Sequence, residues 1–398
     1  KKSEQRDIIM DYLLISLIIP FCGALISYLF KNRVAGIIAT IFAFLTMLFS
    51  IFNLFSGFKV HYDFYLFKWL PINLNFALMS DPLTAILLIL ITVLGFFVIL
   101  YSYGYMSPYN VDHPFHAPYG SYYFLLLLFI GAMVGIVTAP NLLQLFFFWE
   151  ITTLCSWALI SYTKDDKALF SGLKAFIMTH IGGFGFLIAL ALMYIEVKSF
   201  DFSAIDSLSI SSKFIVLLLI FFAASAKSAQ IPLFTWLPDA MVAPTPVSAY
   251  LHAAAMVKAG VYLIARIYLS NSYFFENFII IMSTIAILTM MISVILYYFQ
   301  DDLKKLLAYS TIGHLGYILF GITLGMFGSK TGGMGGIFHI INHGFAKGLL
   351  FLSVGAIAYQ TGTKSISELS GLIKKFPLLT LCFLCGMFAI VGIPPFSG

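Results

Sequence analysis

Charge is scarce in this chain. Asp, Glu, Lys and Arg make up 10% of its 398 residues and apolar residues make up 61%, whereas a soluble domain carries about 25% charge. An ordinary soluble globular protein is therefore excluded. Cysteine is scarce too, and Cys22, Cys155, Cys382 and Cys385 all lie in apolar runs. Cys382-Phe-Leu-Cys385 has redox or metal spacing, but it sits inside an apolar stretch with no second pair, so it reads as packing. An iron–sulfur cluster needs about four such ligands. Rossmann and Walker glycine patterns are also missing. No metal and no resident cofactor is expected. The net charge of +5 is a modest Lys/Arg excess of loops, without a basic patch interleaved with aromatics, so nucleic acid is not an expected partner; the lipid bilayer is.

What recurs instead is the apolar run of about 20 residues that crosses a hydrocarbon core as a helix. The pattern predicts an all-α polytopic membrane protein with about twelve spans, at roughly 11–30, 34–56, 82–103, 120–138, 141–162, 168–195, 213–231, 246–270, 275–299, 305–327, 334–360 and 376–393. The first nine residues, mostly polar, precede Met10 and contribute no span. Loop lysines and arginines bear on orientation. Lys31, Arg33, Lys164, Lys167, Lys304, Lys305, Lys364, Lys374 and Lys375 fall on one side. Lys59, Lys68, Lys198, Lys213, Arg266 and Lys330 fall on the other. Nine against six places the N-terminus outside the cytoplasm, by a narrow margin.

Two spans carry prolyl interruptions, Gln230-Ile-Pro232-Leu and Gly392-Ile-Pro394-Pro395. Proline removes a backbone donor and breaks the helical ladder. Paired broken helices point to inverted repeats with a site between them; the other reading is two unrelated prolines at helix ends. The positions are 162 residues apart (394 − 232), the length of a five-helix unit. The sequence ends within a turn of the second break, so more chain is expected to follow.

Ionisable groups inside apolar surroundings are expensive and mark function. His339, His343 and Lys347 fall four residues apart, so they stack on one helix face over about 12 Å. Glu150 ends the run Leu145-Phe-Phe-Phe-Trp149, and apolar residues continue beyond it. Lys227 is flanked by small residues just before the first break, where water and close helix contacts fit. His252 and Lys258 share one predicted span, about 9 Å apart along its axis and on different faces. For these lysines the competing reading is a side chain snorkelling to the interface. His180 and His314 are lone histidines, for which a satisfied core residue is a strong competitor. Lysines in hydrated low-dielectric pockets exchange protons near neutral pH, as histidines do. Such a series moves charge electrostatically without a cofactor.

Several motifs carry a resemblance: Trp149-Glu150, Lys227-Ser-Ala-Gln-Ile-Pro232-Leu-Phe-Thr-Trp236-Leu-Pro238-Asp239, Pro244-Thr-Pro-Val-Ser248-Ala-Tyr-Leu-His252 with Lys258-Ala-Gly260, Ala308-Tyr-Ser-Thr-Ile-Gly-His314, and His343-Gly-Phe-Ala-Lys347. In these the chain resembles the antiporter-like proton-pumping subunits of respiratory complex I, Mrp cation/proton antiporters and energy-converting membrane-bound nickel–iron hydrogenases. The likeness runs from about residue 80 to the end. It implies two inverted five-helix repeats, at 119–270 and at 271–398 (the second incomplete), after N-terminal helices at 10–118. It also implies a Glu150–Lys227 pair, a central axis through Lys258, His252, His339, His343 and Lys347, and a further charged group past Gly398. Many complex I members carry an aspartate where this chain has Gly183. That departure argues against a typical complex I subunit, and Glu150-Ile-Thr-Thr-Leu-Cys-Ser-Trp157 looks closest to the hydrogenase members. The expectation is a non-redox, H⁺- or Na⁺-translocating subunit in a bacterial or archaeal plasma membrane. Its partners would be other membrane subunits and a peripheral redox arm. The alternatives are membrane subunits of an Mrp antiporter, of complex I or of an inorganic-carbon uptake system.

Overall fold

The computed structural model describes residues 2–56, 60–67 and 74–396. Helices α1 (Lys2–Tyr28) and α2 (Val34–Ser56) open the chain, followed by a hairpin of β1 (Val60–Phe67) and β2 (Leu74–Ser80). Then come α3 (Pro82–Tyr105), α4 (Gly120–Thr138), α5 (Leu142–Ile160), α6 (Asp166–Val197), α7 (Ile210–Lys227) and the single turn α8 (Trp236–Asp239). The chain continues with α9 (Thr245–Ala253), α10 (Met256–Ser270), α11 (Glu276–Tyr298), α12 (Leu303–Met326), α13 (Lys330–Thr361), α14 (Leu372–Lys375) and α15 (Pro377–Val391).

Among the described residues ten helical stretches are long and apolar enough to cross a membrane, with Thr245–Ser270 taken as one. Tyr12–Tyr28 and Pro377–Val391 are shorter apolar helices. Together they account for the twelve expected runs. Exposed Ile280, Leu288, Met291 and Ile295 on α11, and Phe170, Leu173 and Ile177 on α6, give the outside an apolar coat. The protein is an all-α polytopic membrane protein, and among the described residues a single short hairpin accompanies the helices: β1 and β2 pair antiparallel, with Val60 opposite Ser80. It is pinned by Gln144 at the start of α5, whose side-chain amide donates to the Ala77 carbonyl (2.8 Å) and whose Oε1 accepts the Ala77 N–H (3.1 Å).

The breaks are where the sequence expectation is partly corrected. α7 stops at Lys227 because Pro232, four residues after Ser228, offers no N–H to the Ser228 carbonyl and clashes with it. That carbonyl accepts the Gln230 side-chain amide instead (2.8 Å), and Ala229 takes a left-handed φ of 48°. α15 ends at Val391, with Gly392 left-handed just before Pro394 and Pro395. A third interruption was not foreseen. The run predicted as one helix over 246–270 breaks at Ala254–Ala255 into α9 and α10, so the helical spacing assumed between His252 and Lys258 does not apply.

Two placements in the loop count are also corrected. Arg266 and Lys304 are 3% and 2% exposed. Arg266 lies within α10, with its guanidinium bound to Asp81, Thr84 and the Tyr262 hydroxyl. Lys304, in the first turn of α12, turns inward to the Ala243 carbonyl (2.7 Å). Each has a partner on a distant element, which spacing along the chain does not reveal.

Candidate functional site

Halfway along α5, Glu150 and its neighbours meet α6 and α7. The Lys227 ammonium, fully buried, donates to Thr153 Oγ1 (2.8 Å), Thr152 Oγ1 (2.9 Å) and the Trp149 carbonyl (3.2 Å). It also lies 5.2 Å from the centre of the Trp149 ring. The Glu150 carboxylate faces His180 instead, with Oε2 at 2.9 Å from Nδ1. So the Glu150–Lys227 pair implied by the resemblance is disengaged in this structure, and the lone histidine His180 is the carboxylate's partner. Gly183 makes the fit possible: a Cβ there would lie 2.5 Å from Glu150 Oε1.

A second cluster forms where α10, α12 and α13 meet. Lys258, just after the Ala254–Ala255 break, has its Nζ 2.7 Å from His343 Nδ1. His314 on α12 approaches His343 with rings tilted at 45° (5.4 Å between centres), and it stacks on His339, with its Nδ1 3.0 Å from His339 Nε2. His314 is thus no isolated core residue but the link between His343 and His339. One turn along α13, Lys347 donates to Ser310 Oγ (2.7 Å) and the Leu307 carbonyl (3.3 Å). Close helix approach permits this. A Cβ at Gly344 would meet Leu90 at 2.5 Å and the Ala253 carbonyl at 3.0 Å, so glycine lets α13 press against α3 and α9. His252 is fully buried against Phe351, and neither of its ring nitrogens has a partner among the described residues.

Among the described residues, several of the buried polar atoms without a protein partner lie on these same elements, including Ser225 Oγ and Gln230 Oε1 at the first break, Ser248 Oγ, Tyr250 OH and both His252 nitrogens on α9, and His343 Nε2. Leaving such groups dry is costly, and internal water is their usual partner. Sequence reasoning missed Thr152, Thr153, Ser310 and Lys304 as parts of this polar system. A hydroxyl inside an apolar helix carries little signal, because it can satisfy itself on its own backbone.

Fold and site define a multi-pass membrane protein whose broken helices carry buried amines, buried and half-buried imidazoles and one half-buried carboxylate. Residues 139–398 match the family described as NADH:quinone oxidoreductase/Mrp antiporter, TM, and residues 69–113 match complex I chain 5 N-terminus. The chain belongs to this antiporter-like family of membrane subunits. It is 37% identical over 350 residues to NAD(P)H-quinone oxidoreductase chain 5 of Synechocystis sp., covering 82% of this chain and 49% of that one. It is also 37% identical to a Na(+)/H(+) antiporter subunit of Alkalihalophilus pseudofirmus, covering 83% and 42%. The chain thus spans about half the length of these curated relatives. Among solved structures, the Mrp complex from Dietzia sp. DQ12-45-1b superposes with a TM-score of 0.86 at 32% identity, over 96% of this chain and 42% of that one. A membrane-bound sulfane sulfur reductase, described as an archaeal respiratory membrane complex, gives 0.85 at 26%, over 98% and 79%.

Proposed function

We propose that this chain is an ion-translocating subunit of an energy-converting membrane complex and that it moves protons, or sodium coupled to them, along the row just described. The observation that carries this is the pair of hydrogen bonds Lys258–His343 (2.7 Å) and His314–His339 (3.0 Å), joined by the 5.4 Å approach of the His314 and His343 rings, with Lys347 one turn beyond His343 on α13. With Lys258 charged, His343 Nδ1 accepts its hydrogen bond, so the histidine proton sits on Nε2, which has no partner among the described residues. Transfer from Lys258 to Nδ1 and release from Nε2 then advances one proton toward His314. Moving one charge against 100 mV takes about 2.3 kcal/mol. A shift of one unit in proton affinity supplies about 1.4 kcal/mol, so a few electrostatic steps suffice.

The division at 119–270 and 271–398 is supported by a recurring local pattern. Asn141, which caps α5, bridges to Asp201 beyond α6, and Asp302, which caps α12, bridges to Ser365 beyond α13. α6 and α13 are both 32 residues long. Counting spans, α5 and α12 run in opposite directions, as inverted repeats require.

The partners we infer are other membrane subunits, with a peripheral redox arm as the energy source, in a bacterial or archaeal plasma membrane. The nickel–iron hydrogenase form of this reading rests on the Glu150–Trp157 stretch. The Mrp form, without a redox arm, is favoured by the likeness to the Na(+)/H(+) antiporter protein. Copurification separates them: nickel and iron–sulfur subunits mark the first, small antiporter subunits the second. The central test is Lys227→Ala in membrane vesicles. The complex is expected to assemble and to form no ion gradient; a gradient equal to the parent's would overturn the proposal.

A further inference from the structure

We infer that Thr152, Thr153 and His180 are positioning residues that hold Glu150 and Lys227 apart, giving each an alternative seat so that the pair can open and close. The inference rests on the ion-translocating reading above and concerns how its first step is gated.

The Lys227 seat is built for an ammonium. Thr152 Oγ1 donates to the Trp149 carbonyl at 2.7 Å and Thr153 Oγ1 donates to it at 3.1 Å. Both hydroxyl protons are therefore committed, and the two oxygens present only lone pairs to the lysine. They are the ammonium's two close acceptors, at 2.9 and 2.8 Å, while the Trp149 carbonyl, already taken by both hydroxyls, lies at 3.2 Å and adds its negative end to the seat. The Trp149 ring adds a cation–π contact on the same group. The Glu150 seat is separate. His180 lies between Phe176, stacked at 5.2 Å, and Phe184, edge-on at 5.2 Å, so its ring is held with Nδ1 toward the carboxylate. Besides Glu150 itself, the titratable side chain that bears on Lys227 among the described residues is Cys155 on α5, a neutral thiol; on α6, Lys174 is engaged with Asp239 of α8 at 2.7 Å.

Glu150 and Thr153 are three residues apart on one helix, so their Cβ atoms are about 5–6 Å apart. A lysine side chain covers that distance by rotamer changes alone, with no helix movement. In the open state both ions are satisfied by neutral or titratable neighbours. In the closed state they satisfy each other, and Lys227 is held more firmly. Transport needs both states, so removing either seat locks the pair closed and slows turnover.

The test uses membrane vesicles carrying the assembled complex, with gradient formation measured from pH 6 to 9. Thr152→Val/Thr153→Val keeps side-chain shape while deleting both oxygens. It is expected to assemble normally, to slow gradient formation at least tenfold and to displace the pH profile. Thr152→Ser/Thr153→Ser is expected to stay within twofold of the parent. His180→Phe is expected to slow transport in the same way. Combining it with the valine pair is expected to add little, because both lead to one closed state; independent packing defects would add. A valine pair within twofold of the parent with an unmoved profile overturns the inference, as do a serine pair as slow as the valine pair or fully additive losses. Lys227→Ala in the same vesicles separates the two levels. If it transports like the parent, the translocation reading fails; if it is inactive while the seat variants behave as the parent, only the gate fails.

Discussion

A buried ammonium is tolerable in a membrane core when it meets enough acceptors, and four of the buried lysines do so differently. Lys227 has two hydroxyls and a carbonyl, Lys347 one of each, Lys304 a carbonyl and Lys258 an imidazole. None of these partners is a carboxylate, so each amine stays free to respond to charge arriving nearby. Arg266 is the contrast: its bidentate grip on Asp81 makes it a structural ion. Asp81 caps α3 outside the span. Burial acts to raise its pKa, but the hydrogen bond and charge of Arg266, with the Thr84 N–H, outweigh burial and hold it below the ordinary carboxylate value. A depressed folded-state pKa contributes stability that is present above the unfolded value and is lost as pH falls below about 4. Asp81→Asn leaves a buried guanidinium unpaired, so a loss of about 3–5 kcal/mol is expected. Thermal unfolding in detergent should show that loss at pH 7, with the difference from the parent shrinking toward pH 3.

At the scale of elements, glycines decide how close the helices come, and they differ in what they protect. At Gly260 an added Cβ would sit 2.4 Å from the Ala224 carbonyl. Backbone cannot yield there, so Gly260→Ala is expected to separate α7 from α10 and reduce the assembled complex severalfold on native gels. At Gly183 the nearest atom is the tip of the flexible Glu150 side chain. Gly183→Ala is therefore expected to leave assembly within twofold while swinging the carboxylate off His180 and slowing vesicle transport. Equal assembly losses for the two variants would contradict this distinction.

For the whole molecule, the translocation proposed above requires water to reach a core whose outside is apolar. The Ala254–Ala255 break is the natural place for it: Met256 and Val257 begin α10 and have no intrahelical acceptor for their N–H groups. Hydrogen–deuterium exchange on the protein in nanodiscs is expected to label residues 256–257 within minutes, while residues 126–137 of α4, unbroken and buried, stay protected for hours. Protection as strong at 256–257 as in α4 would argue for a dry axis and against translocation through it.

Much of this was legible in the sequence. Apolar run length alone located the spans, with α2, α4 and α13 matching within a few residues, because a helix is the economical way for one segment to satisfy its backbone in hydrocarbon. Pro232 announced its break through a missing donor, and the fourfold spacing of His339, His343 and Lys347 survived intact on α13. What the sequence determined was therefore local: which segments enter the membrane and which charged groups they carry. The tertiary structure decided the pairings and the silent break. His252-Ala-Ala-Ala-Met is a good helix-forming stretch, yet it opens at Ala254–Ala255. Nothing local to it breaks a helix, and its neighbours are brought there by packing: Gly344 of α13 at Ala253 on one side, and Gly260, seated against Ala224 of α7, on the other. Likewise, whether Glu150 meets Lys227 or His180 depends on side chains from three helices converging on one point, a relation between segments that no spacing along the chain encodes.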